Sequence, residues 1–326
     1  MNEWYLYVVI FCTLIGLEVC YFKIAEYFNI IDNPNQRSSH TSVTLRGGGV
    51  IFYFGALAFF FYSEFQYPMF FIGLSMITLI SFLDDVLTLS NKLRLSVHLI
   101  SMSMLFYQLG LFELPWYWII LAFVLFVGIT NAYNFMDGIN GITGVYSLSV
   151  LGGLWMINNY HVNFLENDLI YCTGLSLLVF NFYNFRKKAK CFAGDVGSIA
   201  IAFILLFMIG KLLLREPSFV PVLLLGVYGV DSVLTIIHRL ILKENIFQAH
   251  RKHLYQILAN EAKVSHLMVS TIYATIQLGI NVFALYLLKS DYSVMTVGLF
   301  VISLLIILAI SYVLIKRKYF HLHQLA

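Results

Sequence analysis

Charge is what this chain lacks most. Charged residues make up 11% of its 326 residues, against about a quarter in an ordinary soluble domain. That excludes a soluble globular protein, and no nucleic-acid partner is expected. Cysteine is also sparse. Cys12, Cys20, Cys172 and Cys191 follow neither a disulfide framework nor a zinc-ligand spacing, so they read as free thiols. The first residues lack a basic stretch and a small-residue cleavage site, so the first helix is expected to be retained. No low-complexity segment, soluble insert or clear internal repeat interrupts the chain, and residues 1–326 are expected to form a single transmembrane domain.

What fills the chain instead is apolar sequence, 60% of it. Runs of about 18 or more apolar residues read as spanning helices. Eleven such runs are expected, near 4–22, 47–63, 67–83, 95–112, 115–132, 141–157, 168–185, 198–214, 218–237, 264–288 and 293–315. The fold class is therefore all-α, a polytopic integral membrane protein. All but three of the 20 Lys and Arg residues fall on one set of connectors; Lys211, Arg215 and Lys289 fall near the other. Positive charge marks the cytoplasmic side, which puts the N-terminus outside and the C-terminus in the cytoplasm. Trp116 and Trp118 suit the outer interface.

The polar stretches all fall on the basic side. The longest runs from Asn131 to Gly144. There Asn131, Asn134, Asp137 and Asn140 recur every third residue, and Gly138, Gly141 and Gly144 open the backbone. A spacing of three places neighbours on one side of a helical turn. Intramembrane polar groups are costly enough to mark function, although a polar loop with helix caps has the same composition. Asp84 and Asp85 end an apolar helix, where two adjacent carboxylates oppose the helix dipole. That placement suits a base or a cation site, or else a solvated helix end. Asp195 stands between Gly194 and Gly197, as a ligand for a hard cation or as a helix N-cap. The first basic connector carries Asp32-Asn-Pro-Asn, then Arg37, His40, Arg46 and the glycines 47–49. Unpaired N–H groups at the start of a helix there could receive an anion, or the loop could simply be basic. In the largest connector, His250, Arg251 and His253 form a cationic, hydrogen-bonding group suited to a diphosphate. The alternative for that loop is an amphipathic helix on anionic lipid.

Taken together, in order, these segments resemble one family, the polyprenyl-phosphate N-acetylhexosamine-1-phosphate transferases (glycosyltransferase family 4). The likeness is to the branch that starts O-antigen and related glycans, which is related to the phospho-MurNAc-pentapeptide translocase. The stretches that carry it are Asp32-Asn-Pro-Asn to Gly49, Asp84-Asp85, Asn131-Ala-Tyr-Asn-Phe-Met-Asp-Gly-Ile-Asn-Gly, Phe192-Ala-Gly-Asp-Val-Gly-Ser and Ala249-His-Arg-Lys-His-Leu-Tyr-Gln. Two departures stand out. Asn140 replaces the second Asp that many bacterial members carry, and Arg251 interrupts the histidine motif.

The resemblance implies transfer of a sugar-1-phosphate from a UDP-N-acetylhexosamine to undecaprenyl phosphate, with UMP released and Mg2+ (or Mn2+) as cofactor. It also implies a bacterial inner membrane location, an active site on the cytoplasmic face, contact with membrane lipid, and a homodimer as a candidate assembly. It assigns Asp195 and Asn134 to the metal and Asp84 or Asp85 to catalysis. Arg46, Gly47, Gly48, Asp137 and Asn140 go to the nucleotide-sugar, and His250, Arg251 and His253 to the diphosphate. Which sugar is used stays open among GlcNAc, GalNAc, FucNAc and QuiNAc. A lipid transporter or flippase would share the apolar runs, but it would set its polar groups near the bilayer midplane.

Overall fold

The computed structural model of the chain describes residues 4–34, 39, 42–87, 89–246, 248 and 250–323, with side chains as far as Tyr319. Arg37 and His40 of the first connector lie outside the described residues.

Each of the eleven apolar runs is a helix or a helical pair, because with 60% apolar residues the backbone must satisfy its own hydrogen bonds to enter lipid. The helices are α1 (Trp4–Tyr27), α2 (Ile51–Tyr62), α3 (Pro68–Leu87), α4 (Asn91–Leu109), α5 (Trp116–Met136), α6 (Ile142–Tyr160), α7 (Asn167–Asn184), α8 (Gly194–Arg215), α9 (Gly226–Ile241), α10 (Leu254–Asn260), α11 (His266–Lys289) and α12 (Val294–His323). The ninth apolar run is split: a 3₁₀ segment, Val220–Leu225, precedes α9. Among the described residues, seven helical stretches are long and apolar enough to cross a bilayer. The chain is an all-α polytopic membrane protein.

α8 is the axis of the bundle. Nine-tenths of its apolar window (89%) is buried, whereas α12, with 11%, is left facing outward. α8 packs against α2, α3, α5 and α6, and a second strong contact joins α6 to α11. The reason for this order is visible in the sequence of α8. From Val196 to Leu206 it carries only small or apolar side chains, so every face can be buried. Close approach at its start depends on Gly49 and Gly197. A methyl group on either would overlap the backbone of the other, so only glycine lets the two segments meet.

Two features were not expected from the sequence. A short antiparallel pair, β1 (Ile31–Asp32) and β2 (Thr44–Leu45), closes the first connector, and Leu45 bridges onward to Cys191. The short helix α10 sits inside the largest connector. The four cysteines are free thiols. Trp116 and Trp118, at the start of α5, are both exposed, as an interfacial pair should be.

Candidate active site

The polar stretches converge at one end of the bundle. They come from helix ends: the C-terminal ends of α3, α5 and α7, the N-terminal ends of α4, α6 and α8, and the first connector. A cleft of about 230 Å³ opens among them. Arg46, Asn134, Asp137, Asn140 and Asp195, five of the residues singled out from the sequence, line it. Asp32, Ser39, Asn184, Gln256 and His266 line it as well.

Two of its lining residues, Arg46 and Asp195, belong to a cross-braced set of charges. Arg46 donates from Nε to Asp85 Oδ1 at 2.7 Å and from Nη2 to Asp195 Oδ1 at 3.3 Å. Arg94 repeats the pattern from α4, reaching Asp84 Oδ2 at 2.6 Å and Asp195 Oδ2 at 3.0 Å. Two guanidinium forks therefore bind three carboxylates, the geometry for which arginine is suited and lysine is not. Burial works against the charge on Arg46, but Asp85, Asp195 and Asp32 together hold its pKa above the ordinary value.

Asp137 behaves differently. It follows α5 directly, and its Oδ1 accepts the Thr143 hydroxyl at 2.6 Å. Burial, reinforced by the charges of Asp195 and Asp85, pushes its pKa up to about 7. Asp137 and Asp195 both line the cleft, so two carboxyl groups face one space. Asn134, one helical turn before Asp137, gives its amide N–H to Ser198 Oγ at 3.1 Å. Asn140 is fixed by its own amide, which donates to the carbonyls of Arg186 at 2.8 Å and Lys187 at 3.3 Å. Its backbone N–H donates to His266 Nδ1 at 3.4 Å. Asn184 ties the same corner together, accepting from Gly141 N–H at 2.6 Å and donating to Cys191 O at 2.7 Å.

The glycines of the first connector do something other than was expected of their type. Gly48 N–H donates to Phe192 O at 2.9 Å and Gly49 N–H to Ala193 O at 3.1 Å. These donors are consumed in docking the connector onto the start of α8, so they are not available as an anion nest. Gly47 and Gly48 sit beside Arg46 and carry it to the cleft.

The histidine segment is also placed differently. Among the described residues that line the cleft, α10 supplies Gln256, and His250, Arg251 and His253 are not included. His253 is buried, with Nδ1 3.3 Å from Asp231 Oδ1, and forms a capping box with Gln256 at the start of α10. Asp231 also accepts from Leu254 N–H at 2.9 Å, Tyr255 N–H at 3.3 Å, the Tyr273 hydroxyl at 2.7 Å and the Thr235 hydroxyl at 3.2 Å. Burial, together with the charges of His253, Arg239 and Lys316, pushes His250 down to about 3. It is therefore a neutral imidazole at pH 7, and the permanent positive charges of this segment are Arg251 and Lys252. Arg251 lies 3.8 Å from Glu261, and Lys252 pairs with Glu244. The segment still touches the site indirectly: the Tyr255 hydroxyl donates to Phe135 O at 2.8 Å and packs against Gly138.

Sequence reasoning passed over Arg94, Arg239 and Asn184. Arg239 is 3% exposed and donates to the carbonyls of Asn245, Ile246 and Gln248, which shapes the connector from within. Only its position eight residues after Asp231, on the same face of α9, could have signalled this.

The donor set fits a hard divalent cation. Among the described residues no group of three His, Cys, Asp or Glu side chains forms a ready-made metal cluster. Magnesium, however, is usually held by one or two carboxylates with substrate phosphates completing its shell. Asp195, Asp137 and the Asn134 carbonyl offer that kind of partial set.

Comparison with known proteins agrees with this geometry. A family model described as glycosyl transferase family 4 matches residues 67–212, which includes the helix ends bearing Asp84, Asn134, Asp137 and Asp195. Over 260 residues the chain is 29% identical to a probable undecaprenyl-phosphate N-acetylglucosaminyl 1-phosphate transferase of Bacillus subtilis (strain 168), covering 72% of this chain and 70% of that protein. It is 28% and 26% identical to phospho-N-acetylmuramoyl-pentapeptide-transferases of Dictyoglomus turgidum and Dictyoglomus thermophilum. Both of those matches cover 57% of this chain and 64% of the relative, just under two thirds of its length.

Proposed function

We propose that the chain, which the glycosyl transferase family 4 model matches over residues 67–212, is a polyprenyl-phosphate sugar-1-phosphate transferase. The donor is a UDP-N-acetylhexosamine and the acceptor is undecaprenyl phosphate. An acceptor phosphate oxygen attacks the sugar-bearing phosphorus of the donor. The bond from that phosphorus to the bridging oxygen breaks, and UMP leaves with the bridging oxygen. The reaction starts O-antigen or another cell-envelope glycan, on the cytoplasmic face of a bacterial inner membrane. The basic connectors border the cleft, which supports a cytoplasmic position for it.

The observation that supports this most is the joint placement of Arg46, Asn134, Asp137, Asn140 and Asp195 around one cleft. Phosphoryl transfer leaves little covalent work for a protein; it needs positioning and charge neutralisation. Asp195 and Asn134, with Asp137 beside them, would hold Mg2+, and the ion would neutralise the diphosphate as the leaving UMP gains charge. Arg46 is one-third exposed and lines the cleft, so its guanidinium reaches donor phosphate oxygens. Asn140, which lines the cleft, borders the nucleotide, and Gly47 and Gly48 carry Arg46 to it. Arg251, with a quarter of its side chain exposed and Glu261 3.8 Å away, is the member of the histidine segment assigned here to the diphosphate, while His253 caps α10 behind it.

The test is a panel. Purified protein in lipid is given undecaprenyl phosphate, Mg2+ and each UDP-sugar in turn: GlcNAc, GalNAc, FucNAc and QuiNAc. One donor should yield lipid-linked sugar and an equal amount of UMP. UDP-GlcNAc comes first, since the name of the Bacillus relative carries that sugar. No product from any UDP-N-acetylhexosamine would defeat the proposal.

A further inference from the structure

A helix leaves its first N–H groups without intrahelical partners. α8 begins with Ala193 at its cap position, which offers no side-chain acceptor. The acceptor comes instead from the end of α3. Asp85 Oδ1 accepts the Asp195 N–H at 3.1 Å, and Oδ2 accepts the Val196 N–H at 3.0 Å. Arg46 Nε adds a third donor on Oδ1, and the Asp85 side chain is 0% exposed. The backbone makes room for this contact at Gly194, which has a φ of +71°. A Cβ there would stand 2.6 Å from Asp85 Oδ2 and 3.0 Å from the backbone of Gly47.

Its neighbour is arranged otherwise. Asp84 accepts from Leu89 N–H at 2.7 Å, pairs with Arg94 and keeps 9% of its side chain exposed. A base must come within hydrogen-bonding reach of the proton that it removes. Asp85 is closed behind three N–H donors, and it is not among the described residues that line the cleft.

We propose that Asp85 is a positioning residue: it caps α8 from another helix, sets the direction in which Asp195 presents its carboxylate to the cleft, and takes no proton from the acceptor phosphate. The backbone of Asp195 is held by Asp85, and its carboxylate is held by the two arginines. Substrate identity in this inference rests on the function proposed above; the capping geometry does not.

The test compares Asp85→Asn and Gly194→Ala with wild type, using Mn2+ binding by paramagnetic resonance on purified protein without substrate. Asparagine keeps the size of Asp85 but offers one acceptor oxygen. Alanine at 194 leaves both carboxylates in place and presses on their contact. Each variant should bind Mn2+ about tenfold more weakly or worse, as when the partner that orients a metal ligand is lost. The combined variant should be little worse than the weaker single one, because both break the same contact. Residual turnover of Asp85→Asn should keep the wild-type pH profile.

Three outcomes would overturn the assignment. One is Asp85→Asn that binds Mn2+ as wild type does yet has lost turnover. Another is residual activity without its acid limb, and the third is Gly194→Ala with wild-type Mn2+ affinity. If Asp85→Asn fails to stay monodisperse, Gly194→Ala alone decides. A wild type that releases no UMP would sink the proposed reaction and leave the Mn2+ comparison readable.

Discussion

Two polar regions of this molecule look alike as sequence and differ as structure. Both combine acidic and basic residues at the end of an apolar helix. In the first, Asp84, Asp85 and Asp195 are cross-linked by Arg46 and Arg94, and the assembly opens onto the cleft. In the second, Asp231 gathers donors from α9, α10 and α11 within a closed interior, and His253 is one of them. The difference is what each carboxylate has left to offer. Asp195 holds its charge partners by side-chain ends that a cation or phosphate can replace. Asp231 is fully committed to hydrogen bonds that fix the fold. Equal clusters of charge can therefore serve as a reactive site in one place and as a brace in another.

If the first region is the reactive one, Asp195→Asn should reduce turnover to background while the protein stays monodisperse in detergent. UMP release and size-exclusion chromatography check this together; full activity in excess EDTA would remove the cation from the account. The second region should fail by unfolding. Asp231→Ala removes the acceptor that five donors share and should cost about 3–5 kcal/mol, the usual scale for breaking a buried pair. A fall in thermal stability with Mn2+ affinity preserved is the expected pattern, and a stable but inactive variant would move Asp231 into the chemistry.

Arg251 sharpens the boundary between the regions. At saturating UDP-sugar and fixed lipid composition, Arg251→Lys should lower kcat about tenfold or more, because lysine keeps the charge but loses a bidentate hydrogen bond worth about 1.5–3 kcal/mol. Wild-type rates in the lysine variant would make the whole segment a brace. The smallest expected effect concerns His250. With its pKa held down at about 3, it stays a neutral imidazole between pH 5 and 8. Its imidazole resonances should stay constant over that range, and the rate profile should show no break that His250→Gln removes. A midpoint between 6 and 7 assigned to His250 by NMR would contradict the burial that lowers it.

Most of the helices could be read from sequence because a long apolar run has few alternatives. The run 198–214 predicted α8, but its true start at Gly194 puts Asp195 inside the first turn. That boundary matters, since it makes the backbone of Asp195 a donor to Asp85. β1 and β2 were invisible: two-residue strands separated by eleven residues carry no alternation to detect. Helix α10 was hidden because seven residues are too few for a periodic pattern. The glycines at 47–49 were recognised as unusual, yet glycine signals both anion binding and close packing. Contact with Phe192, Ala193 and Gly197, more than 140 residues away, selects packing. Arg94 was unreadable for the same reason, since its second partner lies 101 residues on.

The claim at the centre of this account is that Asp195, at the start of α8, holds the divalent cation on which the donor diphosphate is bound. Titrating Mn2+ into wild type and Asp195→Asn in the presence of UDP, followed by paramagnetic resonance, tests it most directly. The account predicts one bound Mn2+ per wild-type chain, tightened by UDP, and loss of that site in the variant. Equal binding by the two proteins would contradict it.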